Sequence, residues 1–176
     1  MSLTAYKRHF GEHTLLGPKG VLKLCRVQHP LRDAPLDEIA LGQFDNVLSQ
    51  CRKKTSTLGG IIGGTVANKA LVLANLATQS SCPVVIVTKD FFAHCEAGDL
   101  SRLFAQLAHY SAILFFDQCD DLLDDTISNH NDNLDKQAVL KLIALRQGVT
   151  LFSLSDESVA SIMKLRSPYF IQLAVA

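Results

Sequence analysis

Five short apolar runs limit how this chain can fold. They cover residues 58–62, 84–88, 112–117, 149–155 and 169–175. Each is too short for a helix of ordinary length. The run Val84-Val85-Ile86-Val87-Thr88 is β-branched throughout, which suits a strand covered on both faces. The stretches between the runs carry helical spacing. Leu41, Phe44, Val47, Leu48 and Cys51 make one apolar stripe, and Leu100, Leu103, Phe104, Leu107 and Ala108 make a second. Leu134, Ala138, Leu142 and Leu145 with Val139 make a third. Further helices are expected over about 69–78 and 159–165, whereas 89–98 reads as a polar-aromatic connection. Regular alternation of strand and helix predicts an α/β fold of three layers, a five-stranded parallel sheet with helices on both faces.

Residues 1–35 read as an N-terminal extension ahead of a single domain at 36–176. The extension holds a turn signal at Leu15-Leu16-Gly17-Pro18-Lys19-Gly20 and a short alternating run at 21–27. His29-Pro30 and Ala34-Pro35 then mark an extended linker. A length of 176 residues with 48% hydrophobic and 19% charged residues allows one well-buried domain. Lys+Arg and Asp+Glu both number 17, so no strongly basic nucleic-acid surface is expected, and partners are expected to be other proteins. No apolar run has the length of a membrane span. The five cysteines are scattered, without C-x-x-C pairs, as expected of reduced thiols in the cytoplasm.

The stretch joining the first run to its helix carries candidate chemistry. Four glycines, Gly59, Gly60, Gly63 and Gly64, precede a single lysine, Lys69. Laid on Gly63, the phosphate-loop pattern G-x4-G-K-[ST] gives Gly63, Asn68, Lys69 and Ala70. The first glycine and the lysine fit; Asn68 stands in place of a glycine and Ala70 in place of a hydroxyl residue. Further on, Ile113-Leu114-Phe115-Phe116 ends on Asp117, and a later run ends on Ser155.

In this order and spacing the chain resembles the large subdomain of an AAA+ ATPase, over about residues 36–176. Ile113-Leu114-Phe115-Phe116-Asp117-Gln118-Cys119-Asp120-Asp121-Leu122-Leu123 is similar to that family's Walker B run. The resemblance implies ATP and Mg²⁺ as cofactors, and assembly with itself or with AAA+ relatives. Gly63, Gly64, Asn68, Lys69 and Ala70 then match the phosphate loop, with Lys69 aimed at the phosphates. If position 68 needs a left-handed backbone, Asn tolerates it. Asp117 matches the aspartate that supports the metal. Gln118 stands at the position of the water-activating glutamate, Ser155 at that of sensor 1, and Arg166 near that of the arginine finger.

Three of these positions lack the expected chemistry. Ala70 removes a metal ligand, Gln118 cannot accept a proton as a carboxylate does, and Ser155 is shorter than asparagine. The α-helical lid that follows in the family, with its sensor-2 arginine, is not expected within 176 residues. Two functions follow: a nucleotide-binding module with impaired hydrolysis, or a scaffold that has lost its ligand. Asp120, Asp121, Asp124 and Asp125 read as a solvated acidic face rather than a metal site. His94 beside Cys95 has no spaced partner pair. Thr126 to Asn133 reads as a polar loop.

Overall fold

The computed structural model describes residues 3–16, 20–27, 36–96, 98–109, 111–123, 136–155 and 157–173. The expected alternation is present. Strands β3 (Thr57–Ile62), β4 (Val84–Thr88), β5 (Ile113–Asp117), β6 (Val149–Leu154) and β7 (Phe170–Gln172) all run parallel. Two more strands precede them, β1 (Phe10–Leu15) and β2 (Val21–Val27), joined as an antiparallel hairpin. The sheet therefore has seven strands rather than five, in the order β1-β2-β4-β5-β6-β3-β7. The two extra strands come from the N-terminal stretch, because β2 pairs antiparallel with β4 from Val21↔Val87 to Leu24↔Val84.

Helices cover both faces. On one side lie α1 (Leu3–Lys7), α2 (Glu38–Lys53) and α3 (Val66–Ser80). On the other lie α4 (Lys89–His94), α5 (Asp99–Leu107), α6 (Lys136–Leu145) and α7 (Glu157–Arg166). Alternate residues of β5 feed the two cores: Ile113 and Phe115 face α3, and Leu114 and Phe116 face the other layer. Phe92, Phe116 and Phe152 stack in that second core, at centroid separations of 5.9 and 4.9 Å.

Local chemistry sets the helix ends. Asp37 caps α2 by accepting from the Ala40 N–H at 2.7 Å, and Lys54 closes it in a left-handed turn. Arg52 and Lys53 fall in the last turn of α2, where the dipole favours them. Ser81, also left-handed, ends α3.

Several expectations are corrected. The buried stripe of α2 is Ala40, Phe44, Val47, Leu48 and Cys51, while Leu41 is 50% exposed. Small Ala40 lets the helix approach the sheet, and that phase turns Leu41 outward. In α6, Val139 and Ile143 pack inward, whereas Ala138 and Leu145 are exposed. Leu142 and Leu145 instead line a cavity of about 510 Å³ with Phe104 and Leu107 of α5. Residues 89–94 are helical rather than a connection, because Phe91 and Phe92 anchor α4 in the core. Residues 126–133 and Leu134 lie outside the described residues. No helix among those described is long and apolar enough to cross a membrane.

Candidate functional site

The parallel register brings three chain segments to one edge of the sheet. Gly63 follows β3, Asp117 ends β5, and Ser155 follows β6, which lies between the other two. Carboxyl ends of neighbouring parallel strands are where α/β sheets bind ligands.

Only Gly63, Gly64 and Thr65 separate β3 from α3. Gly63 and Gly64 are both left-handed, at φ +73° and +74°, which only glycine adopts without strain. Thr65 then caps α3, its hydroxyl accepting from the Asn68 N–H at 3.1 Å. The helix thus starts at Val66 rather than near Lys69, three residues earlier than the phosphate-loop pattern implies. Thr65, rather than a residue beside Lys69, supplies the cap. Asn68 is accordingly helical, not left-handed, so tolerance of positive φ is not why asparagine stands there. A side chain added at Gly64 would lie 2.7 Å from Leu173 Cδ1 and 3.0 Å from Leu173 Cβ. The glycine pair therefore serves close packing on the residue that follows β7.

Lys69 points inward. Its Nζ donates to Ser153 Oγ at 2.8 Å and to Ser155 Oγ at 3.4 Å, and only 4% of the residue is exposed. Burial pulls its pKa down, and Asp117 and Asp120 oppose that shift as nearby negative charges. Ser153 lies within β6, two residues before Ser155. Only Ser155 is expected from the sequence as the polar end of that strand; the period-2 alternation was the available signal for Ser153.

Asp117 is 3% exposed, and its Oδ1 accepts from the Tyr6 hydroxyl at 3.1 Å. Tyr6 belongs to α1, is fully buried, and leans on Phe115 at a centroid separation of 5.6 Å. Burial, reinforced by the charge of Asp117, holds the hydroxyl protonated far above its ordinary range. Nothing in the sequence marks Tyr6, because its partner is 111 residues away.

The other candidates are dispersed. Gln118 leaves β5 in a left-handed turn at φ +58°, with its side chain exposed. Ala70 is fully buried in the core shared by α2, α3 and the sheet. Arg166 ends α7 and is exposed. The neighbouring Ser167 hydroxyl donates to Leu58 O, near the start of β3. At roughly 3.3 Å per residue, the length of β3 sets Arg166 on the order of 15 Å from its own Lys69 edge. Asp120 opens a 3₁₀ turn, Asp120–Leu122, and Asp124 and Asp125 lie outside the described residues. The ring Nδ1 of His94 is 3.0 Å from the Asp90 carbonyl. Among the described residues, no three His, Cys, Asp or Glu side chains converge on a common point. None of the five cysteines is joined in a disulfide.

A phosphate group and a magnesium ion fit this edge differently. Val66 and Ala67 open α3, their N–H groups lack intrahelical acceptors, and both residues are exposed. With the helix dipole, the exposed Ser155 hydroxyl and Lys69 beneath, these groups match an anion. Magnesium requires near-octahedral oxygen ligation. The hydroxyl position is Ala70, packed in the core, and the carboxylate of Asp117 is engaged by Tyr6. The residues present do not fit the metal.

The sequence matches no protein-family model and no curated protein. Solved structures do match in shape. A structure showing the basis of katanin self-assembly aligns with a TM-score of 0.56 at 16% identity, over 80% of this chain and 52% of that one. The FIGL-1 AAA domain in complex with ADP aligns at 0.55 and 14%, over 86% of this chain and 58% of the other. A chain of the E. coli MS115-1 HORMA:CdnC:Trip13 complex aligns at 0.55 and 12%, over 81% and 63%. This chain spans less than two thirds of each of these. Its fold is that of the large subdomain of AAA+ ATPases.

Proposed function

We propose that this AAA+-like module binds nucleotide through its phosphates, hydrolyses it poorly, and acts in the assembly or regulation of a larger protein complex. The observation that carries the reading is Lys69, held at the carboxyl edge of the sheet by Ser153 and Ser155, beneath the exposed first turn of α3. An ammonium group and two backbone donors without intrahelical acceptors suit a phosphate group. Impaired hydrolysis rests on Gln118, which turns outward and carries an amide, and on Ala70, which offers no ligand. Losing one positioned acid–base group costs about 10²–10⁴ in rate. Arg166, at the far edge of the sheet, would serve a neighbouring subunit's nucleotide, so homo- or hetero-oligomers with AAA+ relatives are the proposed partners. Katanin, which shares this fold, self-assembles, and that supports the same partner class here. Five scattered cysteines without C-x-x-C pairs support a reducing cytoplasmic setting.

Calorimetry with ADP and ATP on wild type and Lys69→Ala tests the reading. Heat at millimolar ligand that vanishes in the variant supports it, as does the absence of steady phosphate release. Heat in neither protein sinks it.

A second reading, a scaffold that binds no nucleotide, is favoured by one feature. The three-residue turn and the contact of Gly64 with Leu173 leave a shorter backbone loop than a phosphate loop has. Thermal stabilisation by ADP that is lost in Lys69→Ala excludes the scaffold.

A further inference from the structure

The N-terminal stretch contributes one side chain to the candidate site, and it meets the carboxylate that the AAA+ fold would give to a metal. We infer that the Tyr6 hydroxyl takes the place of the divalent cation at Asp117, so that this site accepts nucleotide as a metal-free polyphosphate anion. The inference rests on the nucleotide reading above and specifies the form of its ligand.

The geometry is built from several elements. Helix α1 packs along α3, the helix that starts from the glycine turn, and β1 and β2 tie the same stretch to β4. Tyr6 is thereby delivered onto the α3 face of β5, where Phe115 supports its ring and Asp117 accepts its hydroxyl hydrogen bond at 3.1 Å. Both partners are almost wholly excluded from solvent. A buried carboxylate needs compensation by a donor or a cation. Tyr6 donates to one oxygen, and Lys69 lies close enough for the Asp117 charge to act on it. A hydrated magnesium ion entering beside Asp117 would have to displace a fully buried tyrosine together with the helix that carries it. The anion-binding groups, Val66, Ala67 and Ser155, lie on the exposed side and do not require that displacement.

Two measurements on the full chain test the inference. In the first, Mn²⁺ alone is titrated into wild type and Asp117→Asn, with bound ion counted by electron paramagnetic resonance. Equal uptake is expected; uptake that disappears in Asp117→Asn overturns the inference. In the second, the ADP dissociation constant of wild type is measured in excess EDTA and in excess Mg²⁺. The expected values agree within about threefold, and a tenfold or greater tightening by Mg²⁺ overturns the inference. Should Asp117→Asn not fold, the EDTA and Mg²⁺ comparison decides alone, since it uses only wild type. No ADP binding in either buffer overturns the nucleotide reading and with it the metal-free ligand, whereas Mn²⁺ uptake that depends on Asp117 overturns the Tyr6 assignment itself.

Discussion

The proposed phosphate side of this edge, at the ends of β3 and β6, and the side matching the family's metal position, at the end of β5, differ in solvent access. On the proposed phosphate side, α3 opens with exposed Thr65, Val66 and Ala67, and the buried Lys69 is bonded to the hydroxyls of Ser153 and Ser155. On the metal side, Asp117 is sealed under Tyr6, Ala70 is core, and Gln118 turns away. Under the proposed function, binding and turnover would draw on different sides of the edge. An exposed helix N-terminus attracts an anion without further help, whereas water activation requires several polar groups to converge.

Substitutions can perturb each side separately. Lys69→Ala carries the largest expected effect. Loss of a charge-assisted contact worth about 1.5–3 kcal/mol predicts roughly 10- to 100-fold weaker ADP binding, read by calorimetry. Tyr6→Phe attacks the metal side and leaves Asp117 without that donor, at an expected stability cost of about 2 kcal/mol in urea unfolding.

The cost of Tyr6→Phe also depends on pH. An unfolded tyrosine ionises near 10, and the folded value lies above that because burial, with the Asp117 charge, disfavours the phenolate. Folded Tyr6 therefore holds its proton where the unfolded chain loses it. The advantage of wild type over Tyr6→Phe is full below pH 10 and declines as the pH rises past it. An advantage that grows above pH 10 would contradict this account.

Gly64→Ala probes the turn on the phosphate side. It places a side chain at positive φ and against Leu173, and about 1–2 kcal/mol of destabilisation is expected in urea unfolding. The smallest effect belongs to Gln118→Gly. Relief of a left-handed conformation at an exposed position predicts a gain of about 0.5–1 kcal/mol by thermal melting, with no appearance of hydrolysis.

Much of this architecture was legible because parallel strands are buried on both faces and read as continuous apolar runs, as β4, β5 and β6 do. Strand β1 was not legible. Its Gly11, Glu12, His13 and Thr14 are exposed, and backbone pairing with β2 holds it in place. Helix α4 was obscured by its length, six residues, too few to show a helical period. At the site, Lys69 and Asp117 were legible from spacing and do come to one edge. The start of α3 was misplaced because the pattern that ends at Lys69 overrode the cap signal of Thr65. Tyr6 could not be found at all, since a contact across 111 residues leaves no local trace.

The proposal that nucleotide binds through Lys69 without a metal calls for one titration above others, ADP into wild type in EDTA. The account predicts saturable binding at millimolar ligand or below, unchanged within about threefold by Mg²⁺ and lost in Lys69→Ala. Binding that appears only with Mg²⁺, or that is untouched by Lys69→Ala, would contradict it.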